Sequence, residues 1–103
     1  MGNGILSSVK ELDRVVQSTT LYPAYPNPFA HATKIRFDIE EASNVSITIH
    51  NMLGNIVATV FTAPLGAGSY ETEFISKDVP AGCYVFQLQT ETRMLSRTML
   101  VNR

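Results

Sequence analysis

From Thr33 onward, apolar and polar residues alternate with a period of two, in short runs separated by turn-forming residues. A β-strand sends successive side chains to opposite faces, so each run has one face to bury and one to leave in water. Thr33 to Ile39 turns Ile35, Phe37 and Ile39 one way and Lys34, Arg36 and Asp38 the other. Asn44 to His50 does the same with Val45, Ile47 and Ile49 against Ser46, Thr48 and His50. Ser69 to Ile75 sets Tyr70, Thr72 and Phe74 inward, and Cys83 to Thr90 sets Tyr84, Phe86 and Leu88 inward. Two runs depart from clean alternation. Ile56 to Phe61 is apolar apart from Thr59, which predicts burial on both sides or a covered edge. Arg93 to Asn102 alternates imperfectly, which predicts a bulge or two-sided burial.

Ahead of the first run stands Tyr25-Pro26-Asn27-Pro28-Phe29. The two prolines fix φ and remove two backbone donors. Each also pushes its predecessor toward extended backbone. The segment therefore cannot be a helix or a central strand, and it predicts a rigid lead-in with aromatic flanks. With Leu21-Tyr22 or this segment as an edge strand, the chain predicts about seven short strands. The expected fold is all-β, an antiparallel sandwich of immunoglobulin-like architecture. It lacks the Cys…Trp…Cys signature of antibody domains, because it has no Trp and a single cysteine.

Residues 1–20 read as a linker, with residues 21–103 as the sandwich domain. Within the first part, Ile5, Val9, Leu12 and Val16 are spaced to lie on one helix face, so a short helix over 5–18 is the alternative to a linker. The start has neither a basic region nor a long apolar stretch, so it is not a secretory signal, and no run is long enough to span a membrane as a helix. A formal net charge of −1 offers no electrostatic footprint for nucleic acid. Cys83 is expected as a small buried hydrophobe.

The chain is poor in reactive groupings. His31 and His50 have no Cys, Asp or Glu at metal-ligand spacing. Glu40-Glu41 lies in an expected loop, and Glu71 and Glu73 share an outward face, where solvated charges belong. Asp38, Glu40 and Asp78 do not form a calcium loop. Gly54, Gly66, Gly68 and Gly82 sit at turns between strands and precede no helix, so they form no phosphate loop. Tyr22, Tyr25 and Phe29 fall outside the inward pattern. They suit either a carbohydrate platform or a lid over the core. No catalytic residue, metal site or cofactor is expected.

Two loop-to-strand joints share one design: Leu65-Gly66-Ala67-Gly68-Ser69-Tyr70 and Val79-Pro80-Ala81-Gly82-Cys83-Tyr84. Together with Tyr25-Pro26-Asn27-Pro28-Phe29, the turn Asn51-Met52-Leu53-Gly54-Asn55-Ile56-Val57 and a final strand through Arg97, Val101 and Arg103, they occur in a fixed order. In that order the chain resembles the C-terminal sorting domains of type IX secretion substrates from Bacteroidetes and neighbouring phyla, over about residues 21 to 103. Asn51 and Asn55 stand where the family favours Asp and Arg. Arg97 and Arg103 stand where lysines are frequent, and Cys83 replaces a more usual β-former. The resemblance implies a non-catalytic signal, with recognition borne by the motif residues. It implies a cargo fused at the N-terminal side, an outer-membrane translocon and a surface sortase as partners, and a path through the periplasm to the cell surface. On that reading the chain is a C-terminal piece of a longer protein, and its last strand is an edge or near-edge segment available to a receptor by strand addition. Two other readings remain open on the residues alone: a surface adhesion or carbohydrate-binding module, and a structural spacer.

Overall fold

The computed structural model describes residues 9–103. They form eight strands: β1 Val9–Leu12, β2 Thr20–Leu21, β3 Ala32–Ile39, β4 Ser43–His50, β5 Ile56–Leu65, β6 Gly68–Ile75, β7 Gly82–Gln89 and β8 Met94–Val101. The strands make two four-stranded sheets, one in the order β1-β6-β3-β2 and the other β5-β4-β7-β8. Every ladder is antiparallel. The period-two runs produce this directly. Ile35, Phe37 and Ile39 of β3 face Val45, Ile47 and Ile49 of β4, and Tyr84, Phe86 and Leu88 of β7 complete the layer. Phe37, Phe86, Ile35, Ile47, Ile49 and Leu88 are sealed from solvent. Phe37 lies between the rings of Phe61 and Tyr70, at centroid distances of 5.8 and 5.6 Å.

Several expectations are corrected. No helix forms over the described part of 5–18. Val9–Leu12 is instead strand β1, paired with β6 from Val9↔Thr72 to Leu12↔Ser69. Ile5 lies outside the described residues, and without a partnered helical face a four-residue ladder onto an existing sheet is the more favourable use of Val9, which is buried. The run from Ile56 is not buried on two sides. It begins β5, an edge strand, and Ile56 is 59% exposed. β5 also continues through Pro64, which an edge tolerates because a missing N–H there can face solvent. The final strand has no bulge: its ladder to β7 is regular from Gly82↔Val101 to Gln89↔Met94. The register shifts occur in the β4–β5 ladder instead. The imperfect pattern of β8 comes from Arg97, a charged side chain in the same alternating set as Leu95, Met99 and Val101. Cys83 is exposed, because Tyr84 takes the inward position and leaves its neighbour outward.

Asp38 is a further departure. Alternation puts it on the outer face, yet it is buried. It accepts hydrogen bonds from Tyr22 Oη at 2.6 Å and from Ser69 Oγ, its cross-strand partner, at 2.7 Å. Two neutral hydroxyl donors satisfy the carboxylate, which makes its burial tolerable.

The core assignment gives a direct expectation. Phe37→Ala, removing a ring sealed between two others, lowers unfolding free energy by about 3–5 kcal/mol in chemical denaturation. Val15→Ser, at a position 86% exposed, changes it by less than about 0.5 kcal/mol.

Candidate functional site

Apart from Gly54 in the β4–β5 turn, the motif residues gather at two kinds of place: one lateral seam between the sheets and loops that carry the chain from one sheet to the other. The seam is built by the proline motif. Tyr25 exchanges backbone hydrogen bonds with Lys34 of β3, at 3.0 and 2.9 Å. The chain then turns through Pro26, Asn27 and Pro28, with cis peptide bonds before both prolines. Four residues on from Tyr25 it has reached the other sheet. Phe29 N donates to Leu100 O at 3.1 Å, and Asn102 N donates to Phe29 O at 2.7 Å. Asn27 adds its side chain: Oδ1 accepts from Leu100 N at 2.9 Å, and Nδ2 donates to Thr98 O at 3.4 Å. Thr33 Oγ1 fastens the turn by donating to Pro26 O at 2.6 Å. Phe29 is buried and meets Phe74 edge to face, so it belongs to the core and not to a surface platform.

The seam covers part of β8. Along this edge strand the residues whose backbone points away from β7 are Met94, Ser96, Thr98 and Leu100. The proline motif occupies the positions from Thr98 to Asn102. The edge is therefore closed from Thr98 to Asn102, and the part toward Met94 and Ser96 is left for strand addition.

The two arginines of the last strand also turn inward to the fold. Arg97 Nε donates to Leu21 O at 2.6 Å, joining β8 to β2 across the seam. Arg103 donates to the carbonyls of Ser76 and Val79, which flank a turn closed by Val79 N and Ser76 O. Each guanidinium thus satisfies main-chain acceptors that strand pairing leaves over. Val101 is buried, and Phe29 bridges to it.

The paired joints are two of the crossings between sheets. Leu65 ends β5 in one sheet, and Tyr70 lies near the start of β6 in the other. Tyr84 has the same place in β7 after the return crossing. Each hydroxyl reaches back four residues to its own loop. Tyr70 Oη donates to Gly66 O at 2.7 Å, and Tyr84 Oη to Pro80 O at 2.6 Å. The rings are buried while the hydroxyls fix the loops, as in the tyrosine corner of immunoglobulin-type sandwiches. Burial, and then the Glu11 carboxylate, hold the Tyr70 hydroxyl above its ordinary pKa of 10.0, so it keeps the proton it donates.

The glycines of the two joints are not equally constrained. Gly82 has φ of +151°, a conformation that side chains resist. At Gly68 a Cβ would lie 3.0 Å from Glu11 Oε2, the end of a flexible side chain that can move aside. In the β4–β5 turn Gly54 takes φ of +89°. Asn51 organises that turn. Its Oδ1 accepts from Leu53 N and Asn55 N, both at 3.0 Å. An amide oxygen is enough for this, which explains why Asn can stand at that position. Of the carboxylates weighed from the sequence, Glu40 is engaged structurally: it accepts from Thr19 N at 3.0 Å, and Thr19 Oγ1 accepts from Glu40 N at 3.1 Å. Glu71 pairs with Lys34 at 3.4 Å.

The sequence motifs contain Asn27 and both tyrosines, but give no signal for Thr33, Leu100 or Asn102, which complete the seam. Sequence reasoning missed Asn27 as the residue that closes the edge of β8, and it missed the tyrosine hydroxyls as the fasteners of the crossings. The repeated spacing of glycine and tyrosine carried the second signal, since the same partner four residues back fits both joints.

Tyr84→Phe removes the part-buried hydrogen bond to the Pro80 carbonyl, so it lowers stability by about 1 kcal/mol in urea denaturation. Tyr70→Phe does the same at Gly66, and the double variant loses the sum, because the crossings share no partner. A loss far from additive would show that the two joints act through one another.

The family model for the secretion system C-terminal sorting domain matches residues 23–102. Comparisons with curated proteins and with solved structures give no match. The match begins just before the proline motif and ends at Asn102, whose amide closes the seam, so it spans the seam and both crossings. The chain belongs to the family of type IX secretion C-terminal sorting domains.

Proposed function

We propose that residues 21–103 are the address by which the type IX machinery moves a cargo protein, joined at the N-terminal side, from the periplasm across the outer membrane. The observation that carries this reading is the family match, which covers both the seam and the crossings. The sorting role is one of recognition. A rigid sandwich suits it, because a receptor can read fixed side chains without meeting the cost of ordering them.

The seam supports a division of labour among the motif residues. Tyr25 is 81% exposed and stands at the start of the seam, where a receptor can reach it. Asn27, Phe29, Arg97, Val101 and Arg103 hold the last strand against the rest of the fold. Their contribution to sorting is then to present a folded C-terminal edge, with the open backbone of Met94 and Ser96 beside it. Removal of the domain by a surface sortase, with or without coupling of the cargo to a surface anchor, fits the stretch between β1 and β2. That stretch is largely exposed and has no strand ladder from Asp13 to Thr19.

The test is a fusion of the full chain to the C-terminal end of a periplasmic reporter, in a host with an intact type IX system. Reporter at the cell surface or in the medium is the expected result. Truncation from Arg97 onward, which removes Met99 and Val101 from the core, returns the reporter to the periplasm. Periplasmic retention of the intact fusion would contradict the reading.

A further inference from the structure

On the outer face of the β1-β6-β3-β2 sheet lies a cup of about 450 Å³, whose rim includes Tyr25 at the start of the seam. Arg14, Tyr22, Pro23, Ala24, Tyr25, Lys34, Arg36 and Glu71 line it. Three cations thus surround it against a single carboxylate, in a chain of formal net charge −1. The one carboxylate is already engaged. The ladder places Glu71 opposite Arg36, but Glu71 pairs instead with Lys34, at 3.4 Å. Arg36 is left without an ion pair among the described residues. Arg14 lies over the Tyr22 ring at 5.4 Å, which engages a face of its guanidinium.

The cup is also held in shape before any ligand arrives. Tyr22 is fixed by its 2.6 Å hydrogen bond to the buried Asp38, which Ser69 secures from the far side. Ala24 forms a buried floor, and Tyr25 stands at the rim with its ring 81% exposed. The amides of Tyr22 and Tyr25 donate to Arg36 and Lys34, and Pro23 has no amide. An extended peptide would find few backbone donors here. A ligand recognised by side chains alone is favoured, with an anionic group for Arg36 and a flat, weakly polar face for the tyrosine ring.

We infer that this cup is a binding site for an acidic saccharide, whose carboxylate pairs with Arg36 and Arg14 while a sugar ring lies against Tyr25. Paired N–H groups of a guanidinium match a carboxylate in two places at once, which gives geometry as well as attraction. The volume falls in the range of small-ligand sites. This goes beyond the sorting function and does not depend on it.

The test is a titration of the full chain, isotopically labelled, with trigalacturonate, followed by amide shifts in NMR. Maltotriose serves as the neutral saccharide and hexaglutamate as the acidic peptide. Saturable shifts confined to residues 22–25, 34–36 and 71, given by trigalacturonate alone and weakened by salt, are expected. Arg36→Gln, at an exposed position, should keep the spectrum of the fold and raise the trigalacturonate Kd about tenfold. Tyr25→Ala should also raise it. No saturable shift, shifts outside the cup, or an equal response to hexaglutamate would overturn the inference.

Discussion

The structure depends on one short crossing, in which the chain leaves its bridge to β3 at Tyr25 and reaches β8 at Phe29. A two-sheet sandwich buries its core only if something holds the sheets' lateral edges together, because the hydrogen bonds of each ladder run within a sheet and not between sheets. Here the proline motif makes that link with main-chain bonds at both ends. Asn27 lies between them as a side chain that behaves like a strand, offering an acceptor to Leu100 N and a donor to Thr98 O. Arg97 repeats the link a few residues away through Leu21 O. Two neighbouring edge strands are thereby joined, and the last strand becomes part of the body of the domain.

The crossings between sheets meet a related difficulty in a different way. A loop that passes from one layer to the other exposes carbonyls near the rim of the core. Tyr70 and Tyr84 bury their rings in the core and send their hydroxyls back to those carbonyls. The same side chain serves packing and hydrogen bonding, so each crossing needs few residues. This economy suits a recognition domain, because the exposed faces remain free for ligands while the fold is held from within.

Much of this was legible in the sequence because alternation is a local property. The inward sets of β3, β4 and β7 can be read residue by residue, and so can the turn at Gly54 and the paired joints. What was not legible depends on partners distant in the chain. Val9 and Leu12 carry helical spacing, but β6 offers them a ladder, and tertiary pairing overrides the local pattern. Asp38 looks like a solvated charge until Tyr22 and Ser69 are brought to it. Ile56 and Val57 look like core, yet they fall at the edge strand β5, where none of the described residues covers them. Arg97 and Arg103 look like exposed recognition charges, and their carbonyl partners lie 76 and 24–27 residues away in sequence.

The central claim is that the proline motif closes the edge of the last strand. Amide hydrogen exchange along β8 tests it within one molecule, since Ser96 and Leu100 point the same way from the same strand. The account predicts that Leu100 and Asn102, which donate to Asn27 Oδ1 and Phe29 O, exchange far more slowly than Ser96. Exchange of Leu100 as fast as that of Ser96 would contradict it, and would mean that the motif lies beside the sandwich without holding it shut.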